Sequence, residues 1–438
     1  MSPPPPEVRV RMYNVGFGDC FLLGFPGGDR ERLVLVDCGV HSASQGGRSL
    51  DDVIKDVIDV ASASSGKPRL DVAVATHRHR DHVHGFRDEA KWAGIEVGEV
   101  WLPWTEDPDD EAARDIKDRQ SRRSLQLQAL AADETNERWQ PVKAIVENNF
   151  TNAKAMTTLH RGFAGNPTRY FLPQPKDGPR AGPRAEAFTT DVLPGVRVHI
   201  LGPSRDEDTI RDMDPPGDES YFRLGSQRSV MPKGGALPFE RWLMLQPAFR
   251  AAYRHFDLES TDLGTIVAAG RTDALSLAVG LEQAVNGTSL VLLFEFGDAT
   301  LLMTGDAQWG TWQRMLANQR TKDLATTARV LKVGHHGSHN ATPRRYVEAI
   351  THRPEAAFVS VAPTNIKSWS DIPREPLLTE LRGRWARVLR SDKPGDIQET
   401  GEAATTPAST APAPNPDVSV KVGPDELWLE LRMPANRS

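Results

Sequence analysis

The feature that most restricts the fold of this chain is a set of short apolar runs, each followed at once by a histidine or an aspartate. Runs of this length and composition predict buried strands. They are RLVLV before Asp37, LDVAVAT before His77, His79, Asp81 and His82, ATLLMTG before Asp306, and VLKVG before His335 and His336. One such aspartate would carry little weight, since aspartate is common in turns. Four predicted strands that end alike indicate one site shared by the strand ends.

The segment ATHRHRDHVHG, residues 75–85, has a spacing that suits metal ions. His77 and His79 are two residues apart, and in an extended segment such residues point the same way. They could therefore bind one ion while the following loop turns Asp81 and His82 toward a second. Imidazole and carboxylate groups suit zinc, iron or manganese better than calcium. The alternative, a solvated loop rich in histidine and arginine, is disfavoured because the segment directly follows a buried strand.

The order of strand and helix signals predicts an α/β fold. Early strand signals are followed by SLDDVIKDVIDVASASSG, which has apolar residues at helical spacing and Gly66 at the expected C-cap. Further strands alternate with polar segments, as is typical of a layered α/β protein. We predict one domain over residues 1–395, with helical insertions at about 107–166 and 205–275. Residues 396–417 read as a low-complexity linker or loop, and residues 418–438 as a closing strand or hairpin.

Composition narrows the class of protein further. The 438 residues are 39% hydrophobic and 26% charged, with a net charge of -6, which argues against non-specific coating of nucleic acid but allows a local nucleic-acid site. Cys20 and Cys38 both lie in apolar runs, so we expect buried thiols, although a disulfide is possible. The segment MSPPPPEVRV lacks the apolar core of a secretory signal, and no run is long enough for a membrane span. We therefore expect a cytoplasmic protein with no membrane partner.

Two family resemblances rest on these motifs. THRHRDH resembles the H-x-H-x-D-H signature of the metallo-β-lactamase superfamily. NVGFGDCFLL, VLVDCG, LLMTGD and LKVGHHGS are similar to the hydrolase domain of ComEC-type DNA-uptake competence proteins. The resemblance implies a four-layer αβ/βα sandwich with two divalent metal ions, zinc or manganese, at one edge of its sheets. By position it implies that His77, His79 and Asp306 hold the first ion, while Asp81, His82, Asp306 and His335 hold the second. His336 is the alternative ligand, or a group that contacts the substrate.

The sequence departs from the superfamily pattern at the third histidine of the first ion. His160 and His199 are the candidates, and His199 fits a core or surface histidine better because it lies inside a predicted strand. The ComEC-like pattern has an N-x-x-S stretch here instead, matched by Asn286 and Ser289. These two residues, together with Ser338 and His336, are the predicted substrate contacts. Asp371 occupies the region of a late histidine, where a turn aspartate is the simpler interpretation.

This ligand set predicts hydrolysis by a metal-activated water. Two ions bridged by a carboxylate lower the pKa of water and stabilise an oxyanion. Asp81 would accept the proton, Asp37 would orient the histidines, and His336 is a further catalytic candidate. No G-x-S-x-G elbow or reactive-cysteine context offers a protein nucleophile.

Three functions remain open at this point. The first is a metal-dependent phosphodiesterase or nuclease, the second a hydrolase of another ester, lactone, thioester or amide, and the third a non-catalytic partner-binding protein. Basic stretches at 119–123, 342–345 and 381–390 could contact phosphates, or could be solvated helix faces. Trp101, Trp104 and Trp369 could stack on bases, or could be core residues. The two insertions are the expected places for substrate gating or a protein partner.

Overall fold

The computed structural model of the chain contains two mixed β-sheets and a set of helices. It describes residues 6–63, 66–132, 140–150, 152–178, 181–182, 184, 186–212, 215–216, 218–221, 281, 284–364, 369–399 and 415–436. The strands are β1 (Glu7–Tyr13), β2 (Cys20–Phe25), β3 (Arg32–Cys38), β4 (Arg69–Val74), β5 (Glu96–Pro103), β6 (Thr168–Leu172), β7 (Ala187–Phe188), β8 (Arg197–Gly202), β9 (Val291–Phe296), β10 (Ala299–Met303), β11 (Val330–Lys332), β12 (Ala356–Val359), β13 (Arg387–Arg390), β14 (Gln398–Glu399), β15 (Ser419–Val422) and β16 (Trp428–Pro434).

The helices lie mainly between these strands. They are α1 (Leu50–Ala63), α2 (Arg80–Val83), α3 (Glu89–Trp92), α4 (Glu111–Ala132), α5 (Gln140–Phe150), α6 (Ala153–Arg161), α7 (Glu207–Arg211), α8 (Trp309–Ala317), α9 (Gln319–Thr326), α10 (Arg344–Glu348) and α11 (Glu375–Arg384). Short 3-10 turns cover His84–Arg87, Trp104–Glu106, Gly334–Gly337 and Pro424–Glu426.

Each sheet has eight strands and combines antiparallel hairpins with a parallel part. The order in the first sheet is β15-β16-β1-β2-β3-β4-β5-β6, and in the second β14-β13-β12-β11-β10-β9-β8-β7. Strands β3 to β6 run parallel to one another, as do β10 to β13. The carboxyl ends of parallel neighbours lie at one edge of a sheet, so the segments that follow β3 and β4 come together, as do those that follow β10 and β11.

Three apolar clusters define a four-layer sandwich. The cluster between the sheets joins β1, β2 and β4 to β9, β10 and β12 through residues such as Phe25, Trp101 and Phe294. A second cluster packs α1 and α6 on the outer face of the first sheet. A third packs α8, α10 and α11 on the outer face of the second. The predicted α/β four-layer sandwich is confirmed.

The two predicted insertions and the chain end differ in how much the structure describes. The first insertion contains α4, α5 and α6, whereas most of 205–275 lies outside the described residues, as does most of 396–417. Strands β15 and β16 form a hairpin, and β16 pairs antiparallel with β1, so the end of the chain completes the first sheet. Cys20 and Cys38 are buried free thiols. No helix within the described part of the chain is both long and apolar enough to cross a membrane.

A buried ion-pair group fastens β16 to β1. The Glu430 carboxylate is 2% exposed and accepts hydrogen bonds from Arg11 Nε at 2.8 Å and from Arg432 Nε at 2.8 Å. Arg9 Nη1 lies 3.5 Å away. Although burial raises the pKa of Glu430, the arginines Arg11 and Arg9 outweigh it and hold the pKa below its usual value. A carboxylate whose folded pKa is depressed stabilises the folded state above the unfolded pKa.

We expect Glu430→Gln to lower the free energy of unfolding at neutral pH by about 2 kcal/mol, because it removes a buried counter-charge from Arg11 and Arg9 and leaves them only their pairs with Asp56 and Glu31. The difference from the wild type should shrink as the pH falls below about 4.3, the pKa of an unfolded glutamate, toward the lower folded pKa. Denaturant titrations at several pH values would measure it. Asp59→Asn is the control, since its pair with Lys55 is solvent-exposed and should change stability by less than about 1 kcal/mol. A pH-independent loss for Glu430→Gln would contradict the prediction.

Candidate metal centre

Four buried side chains converge where the ends of β4, β10 and β11 meet. Asp81, His82, Asp306 and His336 each present one ligand atom, and these atoms all lie within 4.8 Å of one another. His82 Nε2 lies 3.2 Å from Asp306 Oδ2, and His336 Nε2 lies 3.2 Å from Asp81 Oδ2. Asp81 and His82 come from the first sheet, whereas Asp306 and His336 come from the second. The group therefore spans the two sheets at their shared edge, as the sequence predicts.

Hydrogen bonds fix the orientation of both histidine rings. His82 Nδ1–H donates to Asp37 Oδ2 at 2.8 Å, and His336 Nδ1–H donates to the Ser360 carbonyl at 2.8 Å. A ring nitrogen held in this way leaves Nε2 to face the group, which is the usual arrangement of metal-binding histidines. Asp37 is itself held, because its two carboxylate oxygens accept from Thr76 N–H and Thr76 Oγ1–H at 2.7 Å each. Asp37 thus contacts the His82 ring from a fixed position, and its predicted catalytic role stays a prediction.

The chemistry of the group fits a divalent cation. Asp81 Oδ1 is buried and has no hydrogen-bond partner among the described residues, and the buried His82 Nε2 faces Asp306 Oδ2. Burial lowers the pKa of His82, but the carboxylates of Asp306, Asp37 and Asp19 outweigh it and raise that pKa well above its usual value. The same field of negative charge would attract a metal ion, since buried charges need a partner. A second group, formed by Asp19, Asp37 and His82, also brings ligand atoms together.

His77 and His79, the predicted ligands of the first ion, form a separate pair. His77 Nε2 lies 3.0 Å from His79 Nδ1, close to the separation of two nitrogens that bind one tetrahedral ion. Burial lowers the pKa of both rings, that of His79 to about 4, so both are neutral at pH 7. Among the described residues, neither of the two groups of three or more metal-binding side chains includes them. The set of His77, His79 and Asp306 stays a prediction.

Ser289, the serine of the predicted N-x-x-S match, lies between His77 and Asp306. Its Oγ accepts from the Asp306 backbone N–H at 3.2 Å and lies 3.2 Å from His77 Nδ1. On the other side of the pair, His79 Nε2 contacts Asn149 Oδ1 at 3.1 Å. The two candidates for the missing ligand lie elsewhere: His199 pairs with Glu295 at 2.8 Å, and the His160 ring packs on Phe171.

The segment GHHG gives the two histidines different neighbours. The sequence favours His335 as the ligand of the second ion, but the structure places His336 in the four-residue group. His335 instead lies 2.9 Å from Ser338 Oγ through Nδ1 and 3.4 Å from Asn286 Nδ2 through Nε2. Both histidines have left-handed backbones, with φ of 45° and 53°, and this reversal directs the two rings differently. Consecutive left-handed residues without glycine cannot be read from a sequence, which explains the exchange.

Lys332 and Asp19 belong to the centre, and sequence reasoning missed both. Lys332 Nζ donates to the Gly305 carbonyl at 2.8 Å and to Asp306 Oδ1 at 3.1 Å, and it also contacts Asp19. Burial lowers the pKa of Lys332, but Asp19 and Asp306 outweigh it and raise that pKa, so the ammonium stays charged. Asp306 Oδ1 is thereby occupied, and Asp306 Oδ2 faces His82. The sequence offered two signals. Lys332 lies inside the predicted apolar strand VLKVG, and Asp19 directly precedes the apolar run CFLL.

Three asparagines of the first insertion support the histidine loop, which is the segment of residues 75–85. Asn148 Oδ1 accepts from the Asp81 backbone N–H at 3.3 Å, and Asn152 Nδ2 donates to the Arg78 carbonyl at 2.5 Å. With the Asn149 contact to His79, helix α5 and the residue that precedes α6 hold this loop from outside. The sequence ENNFTN carried the signal, since asparagines are poor helix formers that need another reason to be in a helix.

The other predicted contacts are engaged within the protein. Asp371 pairs with Arg374, which agrees with a turn aspartate. In the basic stretches, Arg119 pairs with Glu207, Arg345 with Glu219 and Arg382 with Glu375. Trp101 and Trp104 are buried, and Trp369 stacks on Phe17 with ring centres 5.8 Å apart.

Comparison with known proteins agrees with this geometry. Residues 13–182 match the family model described as metallo-beta-lactamase superfamily, and the predicted resemblance to that superfamily is confirmed. The protein has the metallo-β-lactamase fold. The chain is also similar to ComE operon protein 3 of Bacillus subtilis (strain 168), with 34% identity over 114 residues. That match covers 26% of this chain and 13% of the relative, so the chain spans only a small part of that protein.

Divalent metal should stabilise the folded chain through the four-residue group. At a free concentration of one hundred times Kd, an ion that binds only the folded state adds about 2.7 kcal/mol. We expect Zn²⁺ or Mn²⁺ to raise the Tm of the wild type and to have little effect on Asp306→Asn or His336→Ala. His199→Ala is the matched histidine control and should keep the full shift. Equal shifts in all four proteins, measured by thermal unfolding and metal analysis, would show that the ion binds elsewhere.

Replacing Lys332 tests the charge balance of the centre. Lys332→Met leaves two buried carboxylates without their cation, so we expect the metal-free protein to lose about 3–5 kcal/mol of stability. Bound metal should offset part of that loss, since it supplies positive charge at the same place. The measurement is denaturant unfolding of wild type and variant, each in chelator and in Mn²⁺. A loss that is the same with and without metal would separate Lys332 from the metal site.

Proposed function

We propose that the protein is a metal-dependent hydrolase of phosphodiesters, most consistent with a nuclease, that uses a metal-activated water. The observation that carries the proposal is the group of Asp81, His82, Asp306 and His336, whose ligand atoms lie within 4.8 Å and include Asp81 Oδ1, a buried atom with no hydrogen-bond partner among the described residues. The matches to the metallo-beta-lactamase superfamily and to ComE operon protein 3 support the same class of chemistry. We propose two ions, with His77 and His79 as ligands of one and the four-residue group as ligands of the other.

Divalent ions bound here would lower the pKa of water toward neutrality and stabilise the negative charge that develops on the phosphoryl oxygens. Asp81 holds a carboxylate in this space, because His82 and His336 keep its pKa well below the usual value despite burial, which alone would raise it. Its free Oδ1 is the acceptor that we assign to the proton of the attacking water. Asp306 is kept anionic in the same way, since Lys332 and His82 outweigh burial and hold its pKa well below its usual range.

The surroundings of the centre assign supporting roles to other residues. Asp37 orients His82 through Nδ1, and Ser289 links His77 to the Asp306 backbone. His335 contacts both Asn286 and Ser338, and its backbone N–H donates to Asp306. We propose that this triplet contacts the substrate, in agreement with the assignment of Asn286 and Ser338 from the sequence.

A hydrolase of another ester, lactone, thioester or amide is the second candidate. The observation in its favour is that Arg119, Arg345 and Arg382, from the three basic stretches, all pair with carboxylates within the chain. A substrate without several phosphates would not need these arginines. A panel of aryl esters, thioesters and homoserine lactones, assayed beside phosphodiesters, distinguishes the two candidates.

The direct test is cleavage of labelled single- and double-stranded DNA and RNA with Mn²⁺ or Zn²⁺, alongside bis(p-nitrophenyl) phosphate. We expect activity that chelator abolishes, and a loss in kcat of about 10²–10⁴-fold for Asp81→Asn, the size typical of a lost general base. The double variant His79→Ala/Asp81→Ala should be inactive.

Two outcomes decide against the proposal. Cleavage that persists in the double variant would come from a contaminant or from another site. Turnover of an ester or lactone without any phosphodiester turnover would replace the first candidate by the second. His199→Ala, which removes a histidine outside the centre, should retain wild-type activity.

A further inference from the structure

A cavity of about 520 Å³ opens beside the metal centre, on the outer side of the histidine loop. Its walls are the segment after β3, including His41 and Arg48, and the segment from Arg80 to Lys91. The two walls are in tight contact at their base, because a Cβ on Gly39 would lie 2.4 Å from the Asp81 carbonyl carbon. A volume of this size is within the range of small-molecule sites. The cavity therefore adjoins the Asp81 and His82 backbone without being part of the metal centre.

The charged side chains of this cavity are unequally balanced. Four basic residues, Arg48, Arg80, Arg87 and Lys91, line it together with two acidic ones, Asp51 and Asp88. Lys91 contacts both of those carboxylates, at 2.5 Å and 3.5 Å. Within the described residues, Arg48 and Arg87 form no ion pair, and both are exposed. The cavity is thus left with a surplus of positive charge that can be offset by an anion.

Two buried histidines add hydrogen-bond donors to the same cavity. His41 Nδ1 accepts from the Ala43 backbone N–H at 3.0 Å, so the ring hydrogen must be on Nε2. His84 Nε2 accepts from Arg87 Nη1 at 3.1 Å, so its ring hydrogen must be on Nδ1. These two N–H groups, His41 Nε2 and His84 Nδ1, are buried and have no partner among the described residues. A buried donor without an acceptor costs about 1–3 kcal/mol.

We propose that this cavity binds a phosphate of the nucleic acid strand next to the scissile phosphate, through Arg48, Arg87, His41 and His84. This rests on the proposed function. Two guanidinium groups and two N–H donors match the several acceptor oxygens of a phosphate group, and arginine binds such groups in a fork geometry. The cavity also offers arginines without an ion pair, whereas Arg119, Arg345 and Arg382 of the three basic stretches pair with carboxylates.

The position of the cavity relative to the centre supports a strand that reaches both. Asp81 belongs to the four-residue group of the centre, while its neighbour Arg80 lines the cavity. His41 is likewise close to the centre, because its ring packs edge-on to Phe17 and the Phe17 ring lies 4.3 Å from that of His336. A substrate with a single phosphate would occupy the centre alone, whereas a longer strand would fill the cavity as well.

The test is binding of a fluorescein-labelled single-stranded 12-nucleotide DNA to the full chain in chelator, followed by anisotropy. We expect Arg48→Ala/Arg87→Ala to weaken binding at least tenfold and to lower the salt slope by about one unit, as for a lost phosphate contact. The control Arg197→Ala/Lys421→Ala removes the same charge at two exposed sites outside the cavity. His41→Phe removes a donor at constant charge and should weaken binding about threefold or more, and His41→Gln should recover part of it.

Hydrolysis provides the second measurement. The ratio of kcat/KM for the oligonucleotide to that for bis(p-nitrophenyl) phosphate should fall at least tenfold in Arg48→Ala/Arg87→Ala, mainly through KM. The proposal is overturned if the wild type binds no strand, or if the cavity variant and the control bind equally. If no phosphodiester is hydrolysed but strand binding still depends on Arg48 and Arg87, the proposed function fails while the phosphate site stands.

Discussion

Buried negative charge at the shared edge of the two sheets is the constraint around which this structure is organised. Asp19, Asp37, Asp81 and Asp306 are each at most 4% exposed. A buried carboxylate is unfavourable unless a cation or hydrogen bonds compensate it. In the protein alone, Lys332, His82 and His336 provide this positive charge. Burial lowers the pKa of both histidines, but the neighbouring carboxylates outweigh it and raise that pKa. A bound metal ion would supply the positive charge that the protons on these two histidines supply without it. Ion binding and proton release are therefore linked.

The strained backbone around this charge shows how firmly the side chains are held. Asp37, His335 and His336 have φ between 45° and 57°, a region that costs a residue other than glycine about 1–3 kcal/mol. Each is fixed by contacts that reach across the fold: Asp37 binds Thr76 of the next strand, the His335 N–H donates to Asp306, and His336 donates to the Ser360 carbonyl. Packing of the sheets therefore fixes the orientation of these side chains before any ion binds. A metal ion would then bind without a large rearrangement of the site.

The sequence predicted what depends on local pattern and missed what depends on tertiary contact. The runs before Asp37, His77, Asp306 and His335 are strands, and helix α1 lies where the helical spacing of apolar residues predicts it. No element was predicted for β5, and β13 lies inside the stretch 381–390 that was considered for phosphate contacts. The choice between His335 and His336 depends on two left-handed residues. Lys332 could not be assigned to the centre, since only the pairing of β10 with β11 brings it to Asp306.

The histidine loop is held by contacts on both of its sides. On its inner side Asp37 and Thr76 fix His82, and on its outer side the asparagines of α5 and its end fix Arg78, His79 and Asp81. Between these supports the loop carries Asp81 and His82 of the four-residue group and also Arg80 and His84, which line the neighbouring cavity, so the two sites are at a fixed separation. Movement of one wall would shift the other. An insertion that only covered the sheet would not need to contact this loop at three points, and its asparagines therefore serve the geometry of the centre as much as the stability of the fold.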